Sequence, residues 1–314
     1  MRTRLGIGLA TALSCAALVT VVGVARDGDG SAAASLSGPP RGPYVALGDS
    51  YTAGPDIPGR RAKPAGCDRS DRNYPALVAA ELGLERAEFR DMSCSGATTG
   101  DLFKAQDTDS GTNPAQLSAV SAGTRLVTVG IGGNDIGFGE LITGCVKAGV
   151  RYRLESRIGD LAPDRAPCRA QHTSGDTDEI GTRIAATGGR VADVLADIRR
   201  RAPEARIYLV GYPTILPARG ADCGRAMGLA PGDVTFLRQK EQQLNAMLRS
   251  TAADAGAGYV DTYAPSDGRD ACAEADVRWV EPLIPAAPAA PVHPNERGER
   301  GMAQAVLRAF RAGG

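Results

Sequence analysis

Apolar positions along the chain follow two rhythms. Short runs suited to extended backbone lie at Tyr44 to Leu47, Glu88 to Met92, Leu126 to Ile131, Arg206 to Val210 and Gly258 to Tyr263, and predict five strands. Between them are longer stretches in which apolar residues return every three or four positions, the helical spacing. Tyr74 to Leu82 has Pro75 suited to a first turn and Gly83 to a stop. Glu179 to Arg201 carries Ile180, Ile184, Val191, Val194, Leu195 and Ile198 at helical spacing, interrupted by Gly188-Gly189. Gly232 to Ala255 and Glu296 to Phe310 complete the predicted helices. Strand and helix alternate, which predicts an α/β fold whose central five-stranded, mostly parallel sheet is covered on both faces. Leu126 to Ile131 holds no charge, as a central strand buried on both sides requires.

The chemistry sits where three of these strands end. Tyr44 to Leu47 runs into Gly48-Asp49-Ser50, the second strand into Ser93-Cys94-Ser95-Gly96-Ala97-Thr98-Thr99-Gly100, and the third into Gly132-Gly133-Asn134-Asp135. In open α/β sheets the reacting groups gather beyond the carboxyl ends of the strands, so Ser50 stands where a nucleophilic hydroxyl is displayed. Each loop alone is an ordinary glycine turn. Glu140 to Ala170, which holds Cys145 and Cys168, reads as an insertion beside this region.

Composition narrows the partners. Lys+Arg and Asp+Glu are both 36, so the chain lacks the basic excess expected of a nucleic-acid binder. Met1-Arg2-Thr3-Arg4 followed by the charge-free run Leu5 to Ala25 has the basic and apolar regions of a secretory signal, with an uncleaved membrane anchor as the alternative. Small residues at Ala25 and at Ala32-Ala33-Ala34 offer two places for cleavage. Residues 1–34 are therefore assigned to the signal and the start of a linker, 35–40 to the linker, and 41–314 to one folded domain. Export takes Cys15 away and leaves six cysteines, an even number that suits an oxidising compartment. Six allow fifteen connectivities; pairing in chain order, Cys67–Cys94, Cys145–Cys168 and Cys223–Cys272, is the simplest, and each loop so closed contributes about 3 to 4 kcal/mol by the chain-entropy model. No C-x-x-C occurs and only His172 and His293 can supply imidazole, so neither a metal nor another cofactor is expected.

Taken in order, Gly48-Asp49-Ser50, Gly96 in its loop and Gly132-Gly133-Asn134-Asp135 resemble the first three sequence blocks of the SGNH, or GDSL-type, hydrolases. The run Cys67-Asp68-Arg69-Ser70-Asp71-Arg72-Asn73-Tyr74-Pro75 is similar to one in the secreted bacterial esterases, lipases and phospholipases of that superfamily. The resemblance spans about Tyr44 to Gly301. It implies a three-layer, flavodoxin-like α/β/α fold, Ser50 as nucleophile, and an oxyanion hole made of the Ser50 and Gly96 backbone N–H groups and the Asn134 side chain. Such donors must converge on the oxygen that becomes negative during acyl transfer.

A serine hydrolase of this kind needs a base, and His293 is the better of two histidines. His172 lies in the polar run Gln-His-Thr-Ser-Gly-Asp, which suits a surface loop. In the family the last block reads Asp-x-x-His, and His293-Pro294-Asn295 matches its end; three residues earlier, however, stands Ala290 instead of aspartate. The main-chain carbonyl of Ala290 is the expected orienting acceptor, with Asp276, Glu281 or Asp261 as remote carboxylates.

The expectation is a secreted, monomeric serine esterase or lipase acting on carboxylic esters, lipid or fatty-acyl esters first among them, with passing contact to a lipid surface. A phospholipase, a carbohydrate acetyl esterase or an exported binding protein with weak chemistry are the alternatives. An aromatic content of 4% leaves little sugar-stacking surface.

Overall fold

The computed structural model describes residues 42–60, 65–158, 165–218 and 223–313. The predicted signal and linker lie outside the described residues. Five strands, β1 (Tyr44–Gly48), β2 (Phe89–Asp91), β3 (Leu126–Gly130), β4 (Arg206–Val210) and β5 (Gly258–Val260), form one sheet in the order β2-β1-β3-β4-β5. Every pairing is parallel, so "mostly parallel" understates the order. Register puts Tyr44 beside both Phe89 and Leu126 and Gly48 beside Gly130.

Alternate residues of each strand point to opposite faces, and both faces are buried. Tyr44 and Ala46 of β1, Leu126 of β3 and Tyr208 and Val210 of β4 pack under α2 (Tyr74–Glu81) and α6 (Glu296–Ala312), through Val78, Met302, Val306 and Phe310. Val45, Leu47, Val127, Val129, Ile207 and Leu209 face the other way, against Ile184, Val191, Leu237 and Leu244 of α4 (Glu179–Arg201) and α5 (Pro231–Asp254). Gly188-Gly189 does not interrupt α4, because burial of its apolar stripe outweighs a propensity cost of about 1 kcal/mol per glycine.

The segment from Glu140, expected as an insertion beside the site, is largely helical. Phe138–Glu155 is an 18-residue helix, α3, that buries Phe138, Leu141, Ile142, Cys145 and Gly149 on one side. A Cβ at Gly149 would lie 2.2 Å from the Gly228 carbonyl oxygen, so only glycine lets α3 lie this close to the 228–230 backbone. Cysteines pair in chain order: Cys67–Cys94 joins the loops after β1 and β2, Cys145–Cys168 ties α3 to the chain after it, and Cys223–Cys272 closes the third loop.

Candidate active site

The serine is set by the way β1 ends. Gly48 bends the chain where a Cβ would lie 2.6 Å from the Gly130 carbonyl oxygen, and its own N–H and C=O are gripped by the Gln116 amide at 2.8 and 2.9 Å. Asp49 then caps the short turn α1 (Ser50–Ala53) by accepting the Tyr51 N–H at 2.9 Å. Its other oxygen accepts the Tyr212 hydroxyl, which in turn accepts the Gly133 N–H at 2.8 Å, so one carboxyl links the ends of β1, β3 and β4. Burial pushes the Asp49 carboxyl up to about 7, against the downward pull of the Tyr212 hydrogen bond.

Adjacent strands bring the other loops alongside. Cys94 N–H donates to the Gly48 carbonyl at 3.0 Å and Asp49 N–H to the Gly130 carbonyl at 3.0 Å, prolonging both ladders beyond β1. Gly96, at φ +77°, therefore follows on one side of Ser50 and Asn134 on the other. The two outer loops are tied to each other: Asn134 Nδ2 donates to the Ala97 carbonyl at 2.8 Å, and Asp135 accepts the Thr99 N–H at 2.9 Å. Among the described residues the Ser50 and Gly96 N–H groups have no hydrogen-bond acceptor, and Asn134 Nδ2 keeps a second hydrogen for another acceptor.

His293 arrives from the far end of the chain. Glu281 N–H donates to the His293 carbonyl and Val292 N–H to the Glu281 carbonyl, at 3.0 and 3.1 Å, while Ala290 N–H donates to the Pro55 carbonyl at 3.0 Å. Asn295 caps α6 directly behind. His293 Nε2 lies 2.8 Å from Ser50 Oγ, although 243 residues separate them. Nδ1 lies 2.8 Å from the Pro291 carbonyl, not that of Ala290. The Ala290 carbonyl instead accepts the His293 backbone N–H at 3.2 Å. Counting back to the family's aspartate position fails because Val292, at φ +62°, folds the chain so that the carbonyl two residues before the imidazole faces it. Positive φ is costly for a β-branched residue; the Tyr51 hydroxyl holds it there, donating to the Val292 carbonyl at 2.6 Å, with its ring 5.0 Å from the imidazole.

A carbonyl only accepts, so Nδ1 carries the proton and Nε2 offers its lone pair to the Ser50 hydroxyl. Burial lowers the His293 pKa from its ordinary 6.5, and the Pro291 carbonyl raises it, the first effect being larger. None of the remote carboxylates contacts the ring. Glu281 braces its loop, accepting from Ala286 N–H at 2.9 Å and from Asn295 Nδ2 at 2.7 Å. Asp261 accepts the Tyr263 and Ala264 N–H groups and pairs with Arg249. Asp276 is exposed. His172 sits apart, 2.9 Å from Glu179.

Ser50 and His293 border a cavity of about 570 Å³ walled chiefly by apolar side chains, among them Phe138, Ile142, Ile215, Leu244, Leu283 and Val292. Glu241 also lines it; burial pushes this carboxyl well above the usual range, against the pull of the Ile215 N–H that it accepts at 2.9 Å.

The GDSL-like lipase/acylhydrolase family model matches residues 46–300. The chain belongs to that family. It is 41% identical to Lipase 2 of Streptomyces coelicolor over 77% of its own length and 76% of that protein's, and 33% identical to a lipase of Streptomyces rimosus over 74% of each. In structure this GDSL-like hydrolase is similar to phospholipase A1 of Streptomyces albidoflavus, with a TM-score of 0.68 at 28% identity, covering 87% of this chain and 100% of that one. The extracellular lipase of Streptomyces rimosus gives a TM-score of 0.65 at 28% identity, covering 85% and 98%. The GDSL-like hydrolase is thus a carboxylic ester hydrolase on the α/β/α scaffold of these neighbours. Among its described residues there is no cluster of metal-binding side chains. Pro291, Val292, Tyr51, Tyr212 and α3 are the parts of the site that sequence reasoning did not single out.

Proposed function

We propose that this hydrolase cleaves fatty-acyl esters through an acyl-enzyme on Ser50. The observation that carries the reading is the 2.8 Å contact between Ser50 Oγ and Nε2 of His293 at the edge of an apolar cavity. His293 takes the hydroxyl proton as Oγ attacks the ester carbonyl. The carbonyl oxygen, now negative, accepts hydrogen bonds from the Ser50 and Gly96 N–H groups and the free Asn134 N–H; each such donor is worth about 10²–10³ in rate. The imidazolium returns its proton to the leaving alkoxide, and water, deprotonated by the same imidazole, releases the acid. The Pro291 carbonyl fixes the tautomer but carries no full charge to set against the imidazolium.

An apolar wall favours an acyl chain over an acetyl group, and the relatives named as lipases and phospholipase support a lipid ester. Export is supported by the basic and apolar amino-terminal pattern, by three disulfides and by the extracellular origin of the Streptomyces rimosus neighbour. Among the described residues no helix is long and apolar enough to cross a membrane.

A series of p-nitrophenyl esters from acetate to laurate tests the substrate class. Each methylene buried is worth up to about 0.8 kcal/mol, so kcat/KM rises roughly two- to fourfold per methylene until the cavity is full. A preference for acetate over octanoate contradicts the fatty-acyl reading.

A further inference from the structure

Helix α3 starts in the cavity wall and leaves it. Glu140, Thr143 and Lys147 line the cavity, and Val150, Leu154 and, in the turn after the helix, Ile158 continue the same row at steps of three or four residues. Residues so spaced share one helix face, so the row runs from the cavity out across the surface. Its outer members are 49%, 57% and 92% exposed. Leu283 also lines the wall, and its neighbour Ile284 is 85% exposed. Six large apolar side chains are exposed among the described residues, and four of them belong to these two wall segments. Chance scatter would not gather them there.

Charge says what covers them. Residues 138–158 hold Lys147, Arg151, Arg153 and Arg157 against Glu140 and Glu155, a local excess of cations in a chain whose net charge is zero. Arg151 pairs with Glu155 at 2.9 Å, while Lys147 and Arg157 are exposed beside the apolar row. Exposed aliphatic side chains flanked by arginine and lysine suit a surface with anionic headgroups over an acyl interior.

We infer that the outer face of α3, with Ile284, seats the protein on an anionic phospholipid surface, so that a lipid ester passes along the helix into the cavity. Val150, Leu154, Ile158 and Ile284 enter the acyl boundary while the flanking cations meet phosphate. The inference rests on the fatty-acyl reading for its purpose but not for its test.

Binding is measured with Ser50→Ala protein, which leaves the lipid intact, by co-sedimentation with vesicles of equal phosphatidylglycerol and phosphatidylcholine. The Ser50→Ala protein sediments with these vesicles and less with pure phosphatidylcholine, and adding Leu154→Asp/Ile158→Asp weakens partition about tenfold or more. In the Ser50 background the same double change, being at exposed positions, leaves turnover of soluble p-nitrophenyl butyrate within about twofold, which also shows that the variant folds. Ser50→Ala protein that stays in the supernatant at low salt, or a double variant that binds as well as its parent, overturns the inference. So does a dimer split by the double change with vesicle binding unaltered, which would make the row a contact between two copies. Failure of the Ser50 protein to turn over the soluble ester overturns the hydrolytic reading instead, and leaves the vesicle result to be judged by itself.

Discussion

Replacing Ser50 by alanine lowers kcat/KM for p-nitrophenyl butyrate by about 10⁴- to 10⁶-fold. The change removes the atom that forms the acyl bond and little else. Ser50 Oγ hydrogen-bonds only to His293 among the described residues, and the Asp49 cap, the Gly48 clamp and the backbone N–H donors are untouched. The thermal midpoint therefore stays where it is. Residual turnover comes from polarisation of the bound carbonyl by the remaining donors and attack by water. A loss of less than about tenfold in a folded variant would show that another group starts the reaction.

The second large effect belongs to His293. Its replacement by alanine costs a similar factor of about 10⁴–10⁶, and the Ser50→Ala/His293→Ala pair is no worse than either alone, since nucleophile and base act as a unit. Only neutral imidazole can take the serine proton, so kcat/KM falls as pH drops through the His293 pKa. Burial lowers that pKa, placing the midpoint of the acid limb below the ordinary 6.5, with activity held at higher pH. Asp261→Asn and Asp276→Asn leave both the plateau and the midpoint in place, because neither carboxylate meets the ring. A large drop in kcat for one of them, with folding intact, would mean that a carboxylate approaches His293 during turnover. The pH profile of kcat/KM for each variant reads all of this at once.

Five strands and the helices α2, α4, α5 and α6 were legible because each signals itself locally: a charge-free run, a stripe of apolar residues, a proline at a start. Helix α3 was not. Thirteen of its eighteen residues are not buried, and Gly139, Gly144 and Gly149 together with the exposed Val150 and Leu154 blur the apolar stripe by which a core-facing helix is read. Ser50, Gly96 and Asn134 stood out only as an ordered set of loops resembling the family's sequence blocks, since each loop alone reads as a glycine turn, and His293 stood out because the chain holds two histidines and the other lies in a polar run. The acceptor for His293 was not legible, since it depends on the backbone sign of one residue. Nothing in Pro291-Val292-His293 announces that Val292 takes φ +62°; the partner that holds it, Tyr51, lies 241 residues away. The Asp49–Tyr212–Gly133 chain was invisible for the same reason, joining loops that become neighbours only when β1, β3 and β4 align.

Hydrolysis requires that the Ser50 hydroxyl, activated by His293 alone, become acylated. A fluorophosphonate, which phosphonylates an activated hydroxyl with loss of fluoride, tests this when the modified residue is located by mass spectrometry of the digested protein. The expected result is stoichiometric modification of Ser50 with parallel loss of esterase activity, no adduct in Ser50→Ala, and labelling slowed by orders of magnitude in His293→Ala. An adduct on another side chain that abolishes turnover, or labelling of Ser50 at full speed without His293, would contradict it.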